Sequence, residues 1–132
     1  MDLTYGAEYE TYRSELREFL GDWPPTGEMA NQPFDVQERD FREKAIERGY
    51  LYREIPKAYG GSEQPSDPLK ERIIMEEFSK ASVPFRMMSQ GPAMLVPTLL
   101  EFGTEEQRER YIRPTLEGEL RWCQGYSELG SL

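Results

Sequence analysis

The sequence has 132 residues, enough for one compact domain with a core and too few for two. Its 25 acidic and 16 basic residues give a net charge of −9, which opposes a nucleic-acid backbone and an anionic membrane surface alike. Histidine is absent and cysteine occurs once, as Cys123, which excludes Ser-His and Cys-His nucleophile pairs, His-ligated zinc, an intramolecular disulfide and a Cys-rich metal cluster.

Tyr5, Tyr9, Tyr12, Leu16, Phe19 and Leu20 recur at spacings of three and four, which predicts a first amphipathic helix with Glu8, Glu10, Arg13 and Arg17 turned away. It stops at Gly21, and Trp23-Pro24-Pro25 with Gly27 makes a loop. A second helix is expected from Asp35, in the N-cap role, through Phe41, Ala45 and Ile46 to Gly49. The stretch LYREIPKAYGG, residues 51–61, reads as an ordered turn.

Asp67 and Pro68 form an N-cap and first-turn pair for a third helix carrying Leu69, Ile73, Ile74, Phe78 and Ala81, ended before Pro84. A fourth helix is expected from Gly91-Pro92 through Met94, Leu95, Thr98, Leu99 and Phe102, with Gly103 in the C-cap role. Thr104 and Gln107 have capping-box spacing for a short fifth helix with Tyr111 and Ile112 on its apolar edge before Pro114. After Gly118, RWCQGYSE alternates with the period of a strand.

The fold class read from these elements is all-α, an up-down bundle of about five helices that ends in the start of a β-strand. A lone terminal strand cannot satisfy its own backbone groups, so it needs a partner that these residues do not supply. The chain therefore reads as cut from a larger protein. The hydrophobic share of 37% is low for the size and leaves apolar surface for a partner or a further domain. No apolar run approaches the ~20 residues of a membrane helix, and the acidic start is unlike a signal sequence. A soluble, uncleaved chain is expected, without membrane insertion, in the cytoplasm or another reducing compartment such as the mitochondrial matrix.

Three stretches could carry chemistry. The IPKAYGG turn could bring backbone close to a ligand, with a purely structural turn as the favoured reading. Met87, Met88 and Met94 could line an adaptable apolar pocket, with ordinary core filling favoured. The run from Trp122 to Ser131, WCQGYSELGS, combines aromatics, a hydroxyl, an acid and glycines, a mix that suits a planar ligand such as a flavin, against a Trp-Tyr core strand as the alternative. The charge-alternating run Thr104 to Arg110 reads as a solvated helix face.

Taken in order, these motifs resemble the N-terminal domain of acyl-CoA dehydrogenases. IPKAYGG resembles that family's Pro-x-x-Tyr-Gly-Gly turn, FGTEEQRERYI its Phe-Gly-Thr-Glu-Glu-Gln segment, Gly118-Glu119 its Gly-Glu step, and WCQGYSE its flavin-facing strand. The resemblance runs from about Tyr9 to Ser131. It implies a helical N-terminal domain over residues 1–120 and, over 121–132, the start of the flavin-facing strand and loop of a middle β-domain. FAD would be held between domains and shared across subunits of a homo- or hetero-oligomer.

Position by position, the resemblance puts Gln124, Tyr126 and Ser127 against the isoalloxazine and Gly130 and Ser131 near the flavin-phosphate loop. In that loop Leu129 replaces the family's proline. Met87, Met88, Gln90, Gly91 and Met94 fall where relatives enclose the acyl chain of an acyl-CoA. The implied reaction is α,β-dehydrogenation of the thioester, with electrons passed on to an electron-transfer acceptor. Its glutamate base comes from the C-terminal domain, so no catalytic residue is assigned here, and Glu128 reads as a structural acid. The 132 residues alone are expected to be colourless and inactive. Two competing readings are a truncated binding or assembly module that docks onto a complete dehydrogenase, and a generic helical interaction domain.

Overall fold

The computed structural model describes residues 6–84 and 91–122, and these are all-α. Five α-helices run α1 Ala7–Leu20, α2 Phe34–Glu47, α3 Pro68–Ala81, α4 Val96–Phe102 and α5 Glu105–Leu116. Among the described residues there is no strand: of the run expected to begin one, 121–132, Arg121 and Trp122 are described and are not in a strand, and residues 123–132 lie outside the described residues. The chain divides into two compact units, Met1–Lys57 with Gly61–Pro84, and Ala58–Gly60 with Phe85–Leu132.

In the first unit α1 packs on α3, and the predicted stripe is the reason: Leu16 and Leu20 are buried, as are Ile73, Ile74 and Phe78. Phe41 ties α2 to both, with ring centroids 5.6 Å from Phe19, 5.9 Å from Phe78 and 5.2 Å from Trp23. Asp67 caps α3 as expected by accepting from the Leu69 and Lys70 N–H groups, and it also accepts from the Tyr9 hydroxyl at 3.2 Å. Asp35, by contrast, is not a cap. It lies in the first turn of α2, and Pro33 stands at the N-cap with no side-chain hydrogen bond.

Arg13 is not turned to solvent either. It reaches across to α3 and donates to Glu77 at 2.7 Å and to Glu76 at 3.0 Å, and Arg17 adds a 3.0 Å contact to Glu77. Glu77 is 4% exposed, so its charge needs these partners. Burial, the largest influence, raises the Glu77 carboxyl, but the hydrogen bonds and charges of Arg17 and Arg13, with Lys80, outweigh it and hold it below the ordinary range. The Arg13 hydrogen bond lowers Glu76 in the same direction.

In the second unit Val96, Ile112 and Leu116 form the buried centre. Residues Gly91–Leu95 make one wide π-helical turn before α4, so the fourth helix starts later than its sequence suggests. Gly103 closes α4 in extended backbone, φ −77°, not in the left-handed region. The Gly103 N–H donates to Leu99 O at 2.8 Å, and the Arg108 guanidinium adds donors to the carbonyls of Leu99 at 3.0 Å and Leu100 at 2.9 Å. Thr104 and Gln107 form the predicted capping box. The helix they open runs through Pro114 to Leu116; Pro114 stands in its last turn, where it supplies no N–H to the carbonyl four residues back. Phe102 is 77% exposed and does not join the core.

Replacing Arg13 with Met should cost about 3 kcal/mol in urea unfolding, because Glu77 stays buried with its shortest partner gone. The Glu76 and Glu77 carboxyls are lowered in the folded state, so the unfolded chain binds protons first as the pH falls. Their contribution is therefore complete above the ordinary value of 4.5 and is lost below it as the pH passes through the lowered folded values. Wild type should lose stability in that acid window, and Arg13→Met should lose less there.

Candidate functional site

In the second unit Trp122, the first residue of the run read as suited to a flavin, lies beside Gly91 of the stretch assigned to the acyl chain. Gly118 makes this possible. At the end of α5 the Gly118 N–H donates to Thr115 O at 3.2 Å and the Glu119 N–H to Pro114 O at 2.9 Å, the paired bonds of a Schellman motif, with Gly118 at φ +81°. The chain reverses, and Trp122 returns onto the helix it has just left.

Trp122 lands on a prepared partner. Its indole N–H donates to Thr115 Oγ1 at 2.8 Å, and the Thr115 hydroxyl donates in turn to the Tyr111 carbonyl at 2.6 Å. The rings of Tyr111 and Trp122 meet edge to face at 5.8 Å. Gly91, the first residue of the wide turn, is buried against the same pair. A Cβ there would lie 2.7 Å from Thr115 Cγ2 and 3.1 Å from Trp122 Cδ1, so only glycine fits without displacing them. Three residues on, Met94 is 48% exposed, which removes the core-filling reading for this methionine.

Of the predicted site residues, Gly91 and Met94 are described and share this turn. Met87, Met88 and Gln90, and on the flavin side Gln124, Tyr126, Ser127, Gly130 and Ser131, lie outside the described residues. Sequence reading missed Thr115. A threonine in a helix whose side chain returns to the carbonyl four residues back gives no periodic signal.

The Pro-x-x-Tyr-Gly-Gly turn proves structural at its ends. Ile55 O accepts from the Glu63 N–H at 3.0 Å, and a Cβ on Gly61 would overlap that same carbonyl. Residues 58–60 belong with the second unit: the Tyr59 hydroxyl donates to both oxygens of Glu105 at 2.8 and 2.9 Å, which raises the Tyr59 phenol, and Arg113 donates to Ala58 O at 3.1 Å.

A cavity of about 230 Å³ opens in the first unit between Phe19, Trp23, Met29 and Phe41. None of its lining residues matches a predicted site position. Among the described residues no group of three acidic or cysteine side chains could hold a metal, and no helix is long and apolar enough to cross a membrane.

This all-α arrangement, with a capped helix returning an aromatic residue onto its own last turn, is the class of domain that the motif order implied. The family model described as acyl-CoA dehydrogenase, N-terminal domain, matches residues 6–119, and the chain belongs to that family. It is 30% identical over 122 residues to acyl-CoA dehydrogenase FadE34 of Mycobacterium tuberculosis, covering 89% of this chain and 16% of that protein. Acyl-CoA dehydrogenase IpdE1 of Mycolicibacterium smegmatis is 43% identical over 53 residues, 40% of this chain and 14% of the relative. Among solved structures, the ChsE4-ChsE5 complex from Mycobacterium tuberculosis matches with a TM-score of 0.62 at 28% identity, over 99% of this chain and 33% of that one. The chain thus spans a minor part of the length of each relative.

Gly118→Ala should destabilise the protein by about 1 kcal/mol, since alanine must enter the left-handed region, and Gly118→Asn should cost less. Thermal unfolding of both variants checks the order. Equal losses would show that the left-handed turn does not carry the cost.

Proposed function

We propose that this chain forms one wall of the flavin and acyl pocket of an FAD-dependent acyl-CoA dehydrogenase that removes hydrogen from the α and β carbons of an acyl-CoA thioester. Family membership supports the class of activity. The observation that carries the finer reading is the packing of Gly91 on Thr115 and Trp122, which joins the turn bearing Met94 to the point where the flavin-facing segment begins.

The described residues fit such ligands. Trp122 keeps 38% of its surface exposed and Met94 keeps 48%, an aromatic and an adaptable apolar surface suited to a flavin ring and an acyl chain. Bound FAD would supply the hydride acceptor. Within this chain, Ser127 would hydrogen-bond the flavin edge, with Gln124 and Tyr126 beside it and Gly130 and Ser131 toward the phosphates. Met94 and Gly91, with Met87, Met88 and Gln90, would exclude water from the acyl chain. No proton-abstracting base is assigned to this chain; the base would come from a further domain.

The similar solved structure is a complex of two proteins, which supports assembly of this domain into a homo- or hetero-oligomer. It also keeps a second reading, a non-catalytic module docked on a complete dehydrogenase. A reducing compartment, with an electron-transfer protein as acceptor, completes the proposal.

The test is anaerobic titration of the full-length protein with acyl-CoAs of increasing length while flavin absorbance is followed. Bleaching by an acyl-CoA supports the dehydrogenase, and bound flavin without bleaching, or no flavin, refutes it in favour of the docking module. Ser127→Ala should weaken flavin retention or slow reduction by about three- to tenfold, the loss of one hydrogen bond. Met94→Ala should shift chain-length preference toward bulkier or longer chains while changing stability by less than about 1 kcal/mol, because this side chain is half exposed. An unchanged preference would remove Met94 from the pocket.

A further inference from the structure

We infer that Thr115 is a positioning residue: its hydroxyl, held between the Trp122 indole and the Tyr111 carbonyl, fixes the flavin-side segment and the acyl-side turn relative to each other. The inference rests on the proposed function and adds to it a residue that touches neither ligand.

The hydroxyl is used in both directions. It donates to Tyr111 O at 2.6 Å and accepts from Trp122 Nε1 at 2.8 Å, so the proton that a threonine can give and the lone pair that the indole needs are both committed. Each bond polarises the other. Thr115 is 3% exposed, so water does not compete for either bond. The methyl group on the same Cβ is the atom nearest to where a Cβ on Gly91 would stand. One side chain therefore holds two segments, Trp122 by its oxygen and Gly91 by its carbon.

What this does follows from chain length. In the proposed pocket Ser127 is five residues beyond Trp122 and Met94 three beyond Gly91 in sequence, so both proposed ligand contacts are only a few residues from a segment that Thr115 holds. Catalysis by hydride transfer is sensitive to sub-ångström placement of donor and acceptor. A loosened anchor would therefore reach the chemistry although Thr115 contacts no ligand. The Schellman turn at Gly118 supplies the return path, and the edge-to-face contact with Tyr111 sets the plane of the indole.

The substitutions are chosen to separate the two contacts. Thr115→Val keeps the shape and the methyl toward Gly91 and removes the hydroxyl. Thr115→Ser keeps the hydroxyl and removes that methyl. Trp122→Phe keeps an aromatic ring and removes the donor. Ile112→Val, on the same helix and fully buried, is the control for general loss of stability.

In the full-length flavoprotein, Thr115→Val and Trp122→Phe are each expected to weaken FAD retention about three- to tenfold, to alter the fine structure of the flavin absorption band, and to lower kcat more than they raise KM. The double variant should lose no more than the worse single, because both remove one shared bond. Thr115→Ser should restore retention and spectrum, and Ile112→Val should leave both as in wild type. The inference is overturned if Thr115→Val leaves retention, spectrum and kcat within twofold of wild type, or if Ile112→Val reproduces its effects at equal loss of melting temperature. A wild-type protein that takes up no flavin would instead refute the proposed function itself, which the wild-type titration detects before any variant is made.

Discussion

An α-helix leaves its last carbonyls without partners, and the way this chain satisfies them decides where its aromatic and apolar residues go. After α2 the N–H groups of Gly49 and Tyr50 return to Ile46 O and Ala45 O, and Tyr50 is placed in the core. After α3 Ser82 and Val83 return to Ser79 O and Phe78 O, and Val83 is buried. After α5 the same pairing at Gly118 and Glu119 turns the chain so that Trp122 meets Thr115. At α1 the Gly21 N–H returns to Arg17 O and Glu18 O without that pairing, and at α4 the Gly103 N–H returns to Leu99 O while the Arg108 side chain donates to the carbonyls of Leu99 and Leu100. The connections are short because each helix end doubles as a packing device.

The two units use different means of cohesion. In the first, aromatic contacts through Phe41 are joined by a charged bridge from Arg13 to Glu76 and Glu77, which binds α1 to α3 where a purely apolar seam would have sufficed. Breaking such a bridge is costly although making it adds little net stability, so it acts as a register pin between the helices. In the second unit cohesion comes from a small apolar centre and from side chains bonded to backbone: Arg108, Arg113 and Thr115 each hold a carbonyl.

Much of this was legible in the sequence, and the parts that were not share a cause. Helix number, the Asp67-Pro68 start, the Thr104-Gln107 capping box and the glycine stop at Gly49 follow from local rules that need only neighbouring residues. Gly21 and Gly103 also mark helix ends, yet neither adopts the left-handed conformation that a C-cap glycine suggests, and Ser82, at φ +55°, does so without being glycine. Periodicity placed Arg13 on the solvent side because it ranks residues by polarity and cannot see carboxylates more than sixty residues away. Pro114 was read as a stop, although the helix runs two residues past it and ends only in the turn at Gly118. The family was legible as motif order, whereas the contact of Thr115 with Trp122 was not, because it depends on a reversal at Gly118 that brings back a residue seven positions on.

The proposed pocket lies at the exit of α5, where a helix end, a glycine turn and one threonine bring the Gly91 turn and Trp122 to a common anchor. The most direct test is a crystal structure of the full-length protein with FAD and a non-reacting acyl-CoA analogue bound. The isoalloxazine is expected against the residues that follow Trp122, with Ser127 on its edge, the acyl chain along the Gly91–Leu95 turn, and the Trp122 indole still bonded to Thr115. A flavin seated elsewhere, with Met94 and Trp122 facing solvent or an unrelated surface, would contradict the proposed pocket.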